Sequence, residues 1–469
     1  MIRWLMYRSS GRLVAVCFLL FGLLISSFSV PDAALARVKR TGLVSIYPLM
    51  QYATRIRQIG TSVFPPCLHS AAPPLCYSPQ QMQQIYNFSS LVNAGSRGRG
   101  QTIVIIDAYQ SPTLRDDLHL FNSLLGLPEA QLDIIAPFGL HPFHVNNPYE
   151  TSFALEIGLD VEWAHAMAPE AQIVLVLGNP ANDTDRGQID ALIAATRYAV
   201  DRNLGSVMSL SVGAAEACFS AAELQSWHDV FRRARDRRIS VFVSAGDTGS
   251  NAGTCDANGN SLGDAQGVEY PASDPLVTAV GGTTLLADRA GTYQSEATWN
   301  ESARGKGATG GGYSKQFRRP AYQGGNKGIM RAIPDVAYDA DPLTSVPVVS
   351  GSYMAGSTVI VPVGGTSAGA PQWAAMVALA NQASGARLGF LNAAFYRIGS
   401  SPLYASAFHD ITSGDNTFTI PASPITKMTI PGFTAGPGWD AVTGLGSPIA
   451  SVLAHLLVGN IRPGDGTGL

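Results

Sequence analysis

An α/β fold with a mostly parallel sheet and helices on both faces is predicted for this 469-residue chain. Three observations predict it. Short apolar runs alternate with helical runs between residues 101 and 247, the apolar runs show no polar face, and glycine-rich or polar turns close them.

Taken in order, "QTIVIIDAY" reads as a buried strand ending at Asp107, followed by a polar, proline-rich region. In "SFALEIGLDVEWAHAMA", Phe153, Ile157, Val161 and Ala164 recur at helical spacing. "AQIVLVLG" is a strand, "QIDALIAATRYAVDR" a helix, "SVMSLSVG" a strand, "AAELQSWHDVFRRARDRR" a helix and "ISVFVSAGD" a strand. "PLVTAVGGTTL" and "TVIVPVGGTS" are expected to continue the series. The last runs through Gly364 and Gly365 into Thr366 and Ser367, then a small-residue helix that tolerates Pro371 only in its first turn.

Composition narrows the function. With 46% hydrophobic and 14% charged residues the chain can bury a large core, and 49 glycines and 29 prolines imply many turns. A net charge of -3 without a basic, aromatic-interleaved cluster argues against nucleic acid as a partner. Arg3, Arg8 and Arg12, an apolar run from Leu13 to Ile25, and Ala34-Leu35-Ala36 have the order of a secretory signal peptide, 1–36. An uncleaved anchor is the alternative, and no later stretch is apolar for long enough to span a membrane. Outside the signal, Cys67, Cys76, Cys218 and Cys255 form an even set that suits two disulfides in an exported chain. Of three pairings, Cys67 with Cys76 and Cys218 with Cys255 is preferred because each closes a short proline- or glycine-rich segment.

In open α/β sheets a ligand lies beyond the carboxyl ends of the strands, where Asp107, Asp247 and Ser367 fall. Ser367 is either a helix N-cap or a nucleophile beside unsatisfied N–H groups. None of the eight histidines is followed by glycine, so a serine enzyme here would use another base; His165 reads as structural or surface. Glu156 and Asp160 project from one face of an apolar helix, where two buried carboxyls share a proton and one stays a base at acidic pH. Asp247 reads as an Asx-turn residue or as a protonated carboxyl donating to an oxyanion.

Together "ALEIGLD", "SAGDTGS", "EYPASDPLVTAVGGTTL", "ATGGGYSKQFRRPAYQ", "AIPDVAYDADP" and "GGTSAGAPQWAA" resemble the sedolisin family, the serine-carboxyl peptidases. The resemblance implies a subtilisin-like fold, Ser367 as nucleophile, Glu156 as general base, Asp160 as its proton-sharing partner and Asp247 in the oxyanion hole. It also implies cleavage of protein or peptide substrates, either within chains or as tripeptides from an amino end. "FHDITSGDN" and "AGPGWDAVTGLGSP" are similar to the family's calcium site, which implies one Ca²⁺ held by Asp410, the carbonyls of Ile411, Gly436 and Gly438, and Asp440. The backbone at Ser209 to Gly213 and Gly310 to Gly312 would bind an extended substrate as added strands.

Two departures stand out. Only residues 37–75 separate the signal from the start of the resemblance, where the family carries a long prodomain, and Val212 stands where a tryptophan is common. Asp107 is a supporting acid or a structural one. The expected organisation is signal peptide 1–36, lead 37–75, peptidase domain 76–460 and tail 461–469, in a secreted (extracellular or periplasmic) monomer free of the membrane once the signal is cut. The alternatives are a retired peptidase scaffold that acts by binding, and a subtilisin-type enzyme using Asp107 and a distant histidine.

Overall fold

The computed structural model describes residues 47–48, 50–52, 57–58, 66–69, 75–181, 185–256, 261–325, 328–354, 357–420 and 428–459. The signal segment 1–36, most of the lead 37–75 and the tail 461–469 lie outside the described residues.

Four short strands belong to the lead and its end: β1 (Tyr47–Pro48), β2 (Gln51–Tyr52), β3 (Arg57–Gln58) and β4 (Leu75–Cys76). Helix α1 (Pro79–Ile85) opens with a capping box, Ser78 accepting from the Gln81 N–H while the Gln81 side chain accepts from the Ser78 N–H. There follow α2 (Phe88–Asn93), β5 (Thr102–Ala108), α3 (Leu114–Leu125), β6 (Gln131–Ile135), α4 (Pro148–Met167), β7 (Gln172–Gly178) and α5 (Asp185–Asp201). Next come β8 (Val207–Leu210), β9 (Val212–Ala215), α6 (Ala221–Asp236) and β10 (Ser240–Ser244). The second half supplies β11 (Glu269–Tyr270), β12 (Thr278–Ala287), β13 (Tyr293–Thr298), β14 (Val336–Asp339), β15 (Thr344–Met354), β16 (Ser357–Gly364) and α7 (Gly369–Ser384).

Strand order in the eight-stranded main sheet is β13-β12-β10-β8-β5-β7-β6, with β14 also on β12. Every pairing in it is parallel except the β12–β13 hairpin. Side-chain alternation along β5 separates the two faces: Ile103 and Ile105 join the core with α4 and α7, whereas Val104 and Ile106 join the core with α5 and α6. This is the mostly parallel α/β arrangement that the strand–helix alternation predicts, and the subtilisin-like fold that the resemblance implies. Both expected disulfides, Cys67–Cys76 and Cys218–Cys255, are present. No helix among the described residues is long and apolar enough to cross a membrane.

Three local expectations need correction. The polar region after Asp107 contains α3, whose Leu114, Leu118, Phe121 and Leu125 recur at helical spacing and are buried, and the short strand β6. "SVMSLSVG" is two strands, because the ladder with β5 and β10 stops at Leu210 and Ser211 turns the chain toward another sheet. "TVIVPVGGTS" does not continue the parallel series. Only two residues separate Met354 of β15 from Ser357 of β16, too few for a parallel crossover, so the two pair antiparallel in a five-stranded sheet with β2, β3 and β4.

Candidate active site

Helix α4 begins at Asn147, whose side chain accepts from the Tyr149 N–H, and Pro148 fills its first position. From Phe153 to Met167 every residue is buried, which explains the lack of a polar stripe. Glu156 and Asp160 stand one turn apart on this helix, both fully buried.

Ser367 lies on a short 3₁₀ turn (Thr366–Ala368) between β16 and α7. The turn needs glycine before it: Gly365 has φ 93°, and a Cβ on Gly364 would run into the Ala340 carbonyl. No side chain caps either helical start, so Ser367 is not an N-cap. Its hydroxyl instead donates to the Ser211 carbonyl at 3.3 Å, and the Ser211 hydroxyl donates to Asp160 Oδ1 at 2.7 Å. The break between β8 and β9 thus delivers Ser211 between the two.

Asp247 follows β10 and is not a local turn residue. Its Oδ1 accepts from the Thr366 N–H at 2.8 Å and the Thr366 hydroxyl at 2.9 Å, and Gly246 donates its N–H to that same hydroxyl at 3.2 Å. Asp107, at the end of β5, is fully buried; it disfavours ionisation of Glu156, and Asp160 disfavours its own.

Burial pushes all four carboxyls up from the ordinary range. For Glu156 the neighbouring Asp160 and Asp107 add to burial, and the Ser367 hydroxyl opposes it. For Asp160 burial is opposed by the Ser211 hydroxyl and by Glu156. Asp107 is raised by burial and by Asp160. Burial also raises Asp247, against the two Thr366 donors, with Glu269 adding repulsion and the Gln51 side chain opposing it. Neither oxygen of Glu156 or Asp107, nor Oδ2 of Asp160 or Asp247, has an aligned hydrogen-bond partner, so the cluster holds protons without a counter-cation among its aligned contacts. The histidine side chains with described contacts find them elsewhere; His165 is buried on α4 against the Pro128 carbonyl at 2.8 Å, a structural role.

A family model described as "Subtilase family" matches residues 151–391, the stretch that carries Glu156, Asp160, Asp247 and Ser367. Kumamolisin of Bacillus sp. (strain MN-32) is 33% identical over 423 residues, covering 88% of this chain and 69% of that protein. Sedolisin of Pseudomonas sp. (strain 101) is 31% identical over 390 residues, 81% of this chain and 61% of that one. The solved Pseudomonas sedolisin, complexed with two molecules of pseudo-iodotyrostatin, superposes with a TM-score of 0.68 at 30% identity, over 83% of this chain and 100% of that chain. The chain belongs to the sedolisin family of serine-type peptidases.

Two residues of this sedolisin's site were not singled out by sequence reasoning. Ser211 joins Ser367 to Asp160, and Thr366 holds Asp247; the only signal for either is its position at a strand end or beside the nucleophile. Of the residues expected to bind calcium, Asp410 meets Gly438 and Asp440 meets Gly436. Asp410 accepts from the Gly438 N–H at 3.0 Å and from the Tyr404 hydroxyl at 2.9 Å, and Asp440 accepts from the Gly436 N–H at 2.9 Å. Among the described residues no group of three or more His, Cys, Asp or Glu side chains gathers to hold a metal. An ion here would therefore draw on two carboxylates and on loop carbonyls, a hard-oxygen donor set that fits Ca²⁺.

Proposed function

We propose that this sedolisin is an exported peptidase acting at acidic pH, with Ser367 attacking the scissile carbonyl and Glu156 taking the hydroxyl proton. Asp160 shares a proton with Glu156 and orients it. Asp247, neutral, donates a hydrogen bond to the oxyanion, and Glu156 passes the proton to the departing amine; Glu156 then takes a proton from the water that hydrolyses the acyl-enzyme and gives it to Ser367 Oγ. The observation that carries the reading is the contiguous set Ser367, Ser211 and Asp160 beside Glu156, buried together with no histidine among their described contacts.

The two roles bound the working pH. The base needs one charge on the Glu156–Asp160 pair, which is lost as pH falls through the pair's raised value. The oxyanion donor needs Asp247 protonated, which is lost as pH rises through its elevated value. Asp107 acts on Glu156 as a positioning residue by disfavouring its charged form.

The substrate is protein or peptide, and the peptidase domain is 76–460 in a monomeric chain. Export from the cytoplasm, after loss of signal 1–36, is supported by the two disulfides. Asp410, Asp440 and the carbonyls of Ile411, Gly436 and Gly438 would hold Ca²⁺, which when bound would tie the 436–440 loop to residue 410.

The test is hydrolysis of an unfolded protein from pH 2 to pH 8. A bell-shaped acid profile is expected, with Ser367→Ala lowering kcat by about 10⁶-fold and Glu156→Gln by roughly 10²–10⁴-fold. A neutral optimum that survives Glu156→Gln would overturn the carboxyl base.

A further inference from the structure

Glu162 is a buried acid that the mechanism above does not use. It stands two residues beyond Asp160 on α4 and is 0% exposed. Its Oε2 accepts from the Val349 N–H at 3.0 Å, and its Oε1 has no aligned partner. Val349 belongs to β15, one edge of which pairs with β16 from Val346–Val363 to Ser350–Val359. Beyond Ser345 the other edge of β15 meets no strand among the described residues, and side chains from two helices stand there instead. Trp163 donates its indole N–H to the Pro347 carbonyl at 3.0 Å, Glu162 accepts from Val349, and Asp117 of α3 accepts from the Gly351 N–H at 3.0 Å. In order along the strand they supply one donor and two acceptors, as a neighbouring strand would.

The approach of helix to strand is close. A Cβ on Gly158, one turn before Glu162, would sit 3.3 Å from Val348 Cγ1 and 3.5 Å from the Val349 carbonyl oxygen. Gly158 and Glu162 therefore turn to β15, while Glu156 and Asp160, roughly 200° round the helix from them, serve the site. Strand β16 ends at Gly364, three residues before Ser367. The nucleophile turn is thus held from two directions: from β10 through the Asp247–Thr366 bonds, and from α4 through β15 and β16. The second tie joins Ser367 to the helix that carries its base. A base must come within about 2.6–3.2 Å of the group whose proton it takes, so the spacing of these two elements governs the rate.

We propose that Glu162 is a positioning residue for this reaction: through Val349 it fixes the β15–β16 hairpin on α4 and so sets Ser367 against Glu156. This rests on the peptidase reading above. The role belongs to the acceptor oxygen and not to a charge. Burial holds the Glu162 carboxyl well above the ordinary range, against the Val349 N–H and with Asp117 adding. In acid the group is therefore neutral, and its carbonyl oxygen still accepts from Val349. Exchange for an amide keeps that oxygen and removes no charge at the working pH.

The test compares Glu162→Gln, Glu162→Leu and Gly158→Ala with wild type in the full chain. Hydrolysis of an unfolded protein is recorded from pH 2 to pH 8 at several substrate concentrations, to separate kcat from KM, and circular dichroism gives the folded fraction. Glu162→Gln should keep kcat within about twofold and leave both limbs of the pH profile in place. Glu162→Leu fills the same space without an acceptor and strands the Val349 N–H. It should lower kcat per folded molecule by roughly 10–100-fold, since a displacement of about 1 Å is enough, with KM little changed. Gly158→Ala should lower kcat less, and adding Val348→Ala, which removes the methyl that the new Cβ meets, should restore most of it. An unchanged kcat per folded molecule in Glu162→Leu, with stability alone reduced, overturns the positioning role and leaves the peptidase reading standing. So does a loss in Glu162→Gln as large as that in Glu162→Leu. If Glu162→Leu does not fold, the Gly158 variants decide: no loss, or a loss that Val348→Ala fails to restore, overturns the role. Folded wild type that hydrolyses nothing at any pH overturns both.

Discussion

Two buried acidic clusters in this molecule are built in opposite ways. Around Asp335 the charge is answered: Arg331 grips both carboxylate oxygens at 2.7 and 2.6 Å, the Ala279 N–H adds a bond at 2.8 Å and the Tyr396 hydroxyl another at 2.9 Å. Around Glu156 it is not, since Asp160, Asp107 and Asp247 crowd it and six carboxyl oxygens across the four groups lack an aligned partner. Both are equally dry. The difference teaches that burial alone does not mark a site; here buried acids that lack both a cation and aligned donors do, because such a cluster weakens the fold and persists where chemistry uses its protons.

The sharpest way to test that contrast is to break each cluster. Asp335→Ala leaves Arg331 buried and unpaired and should lower unfolding free energy by about 3–5 kcal/mol at any pH, with kcat per folded molecule retained, as read from urea melts and active-site titration. Loss of kcat without loss of stability would reverse the assignment of the two regions.

Asp107→Asn should do the opposite. A carboxyl whose folded value is raised stays protonated while its unfolded counterpart ionises near pH 4, so the folded state binds more protons and its stability falls as pH rises from there toward the folded value. Removing that group should change little below pH 4 and stabilise the protein at pH 7, on the order of 1 kcal/mol or more. Urea melts at pH 4 and pH 7 check this, and equal effects at both values would mean that Asp107 is an ordinary structural acid.

The smallest expected effect is at Thr366. Its hydroxyl favours the charged form of Asp247, so Thr366→Val should raise Asp247 further and move the alkaline limb of the activity profile to higher pH, with a fall in rate of about tenfold or less. A limb that moves to lower pH would remove Asp247 from the oxyanion role.

The chemistry was legible in the chain to an uneven degree. Glu156 and Asp160 could be paired from their spacing because a helix brings i and i+4 to one face whatever surrounds it. Asp247 and Ser367 could be noted from local pattern as strand-end residues and joined only by the resemblance, since 119 positions of chain lie between them and no local pattern reports that Thr366 bridges them. Ser211 was silent for the same reason, and Asp107 could be read only as a supporting or a structural acid.

The sequence by itself determined the alternating α/β layers, the buried character of α4, the disulfide pairs and the acid types at strand ends, because periodicity, turn residues and short loop closures are local properties. Tertiary structure alone decided that β16 leaves the parallel sheet, that Ser211 stands between Ser367 and Asp160, and that two short strands of the lead pair with β9 and β16. Each depends on which distant strands find each other's unpaired N–H and C=O groups, a choice made by the closed set of contacts and not by any one segment.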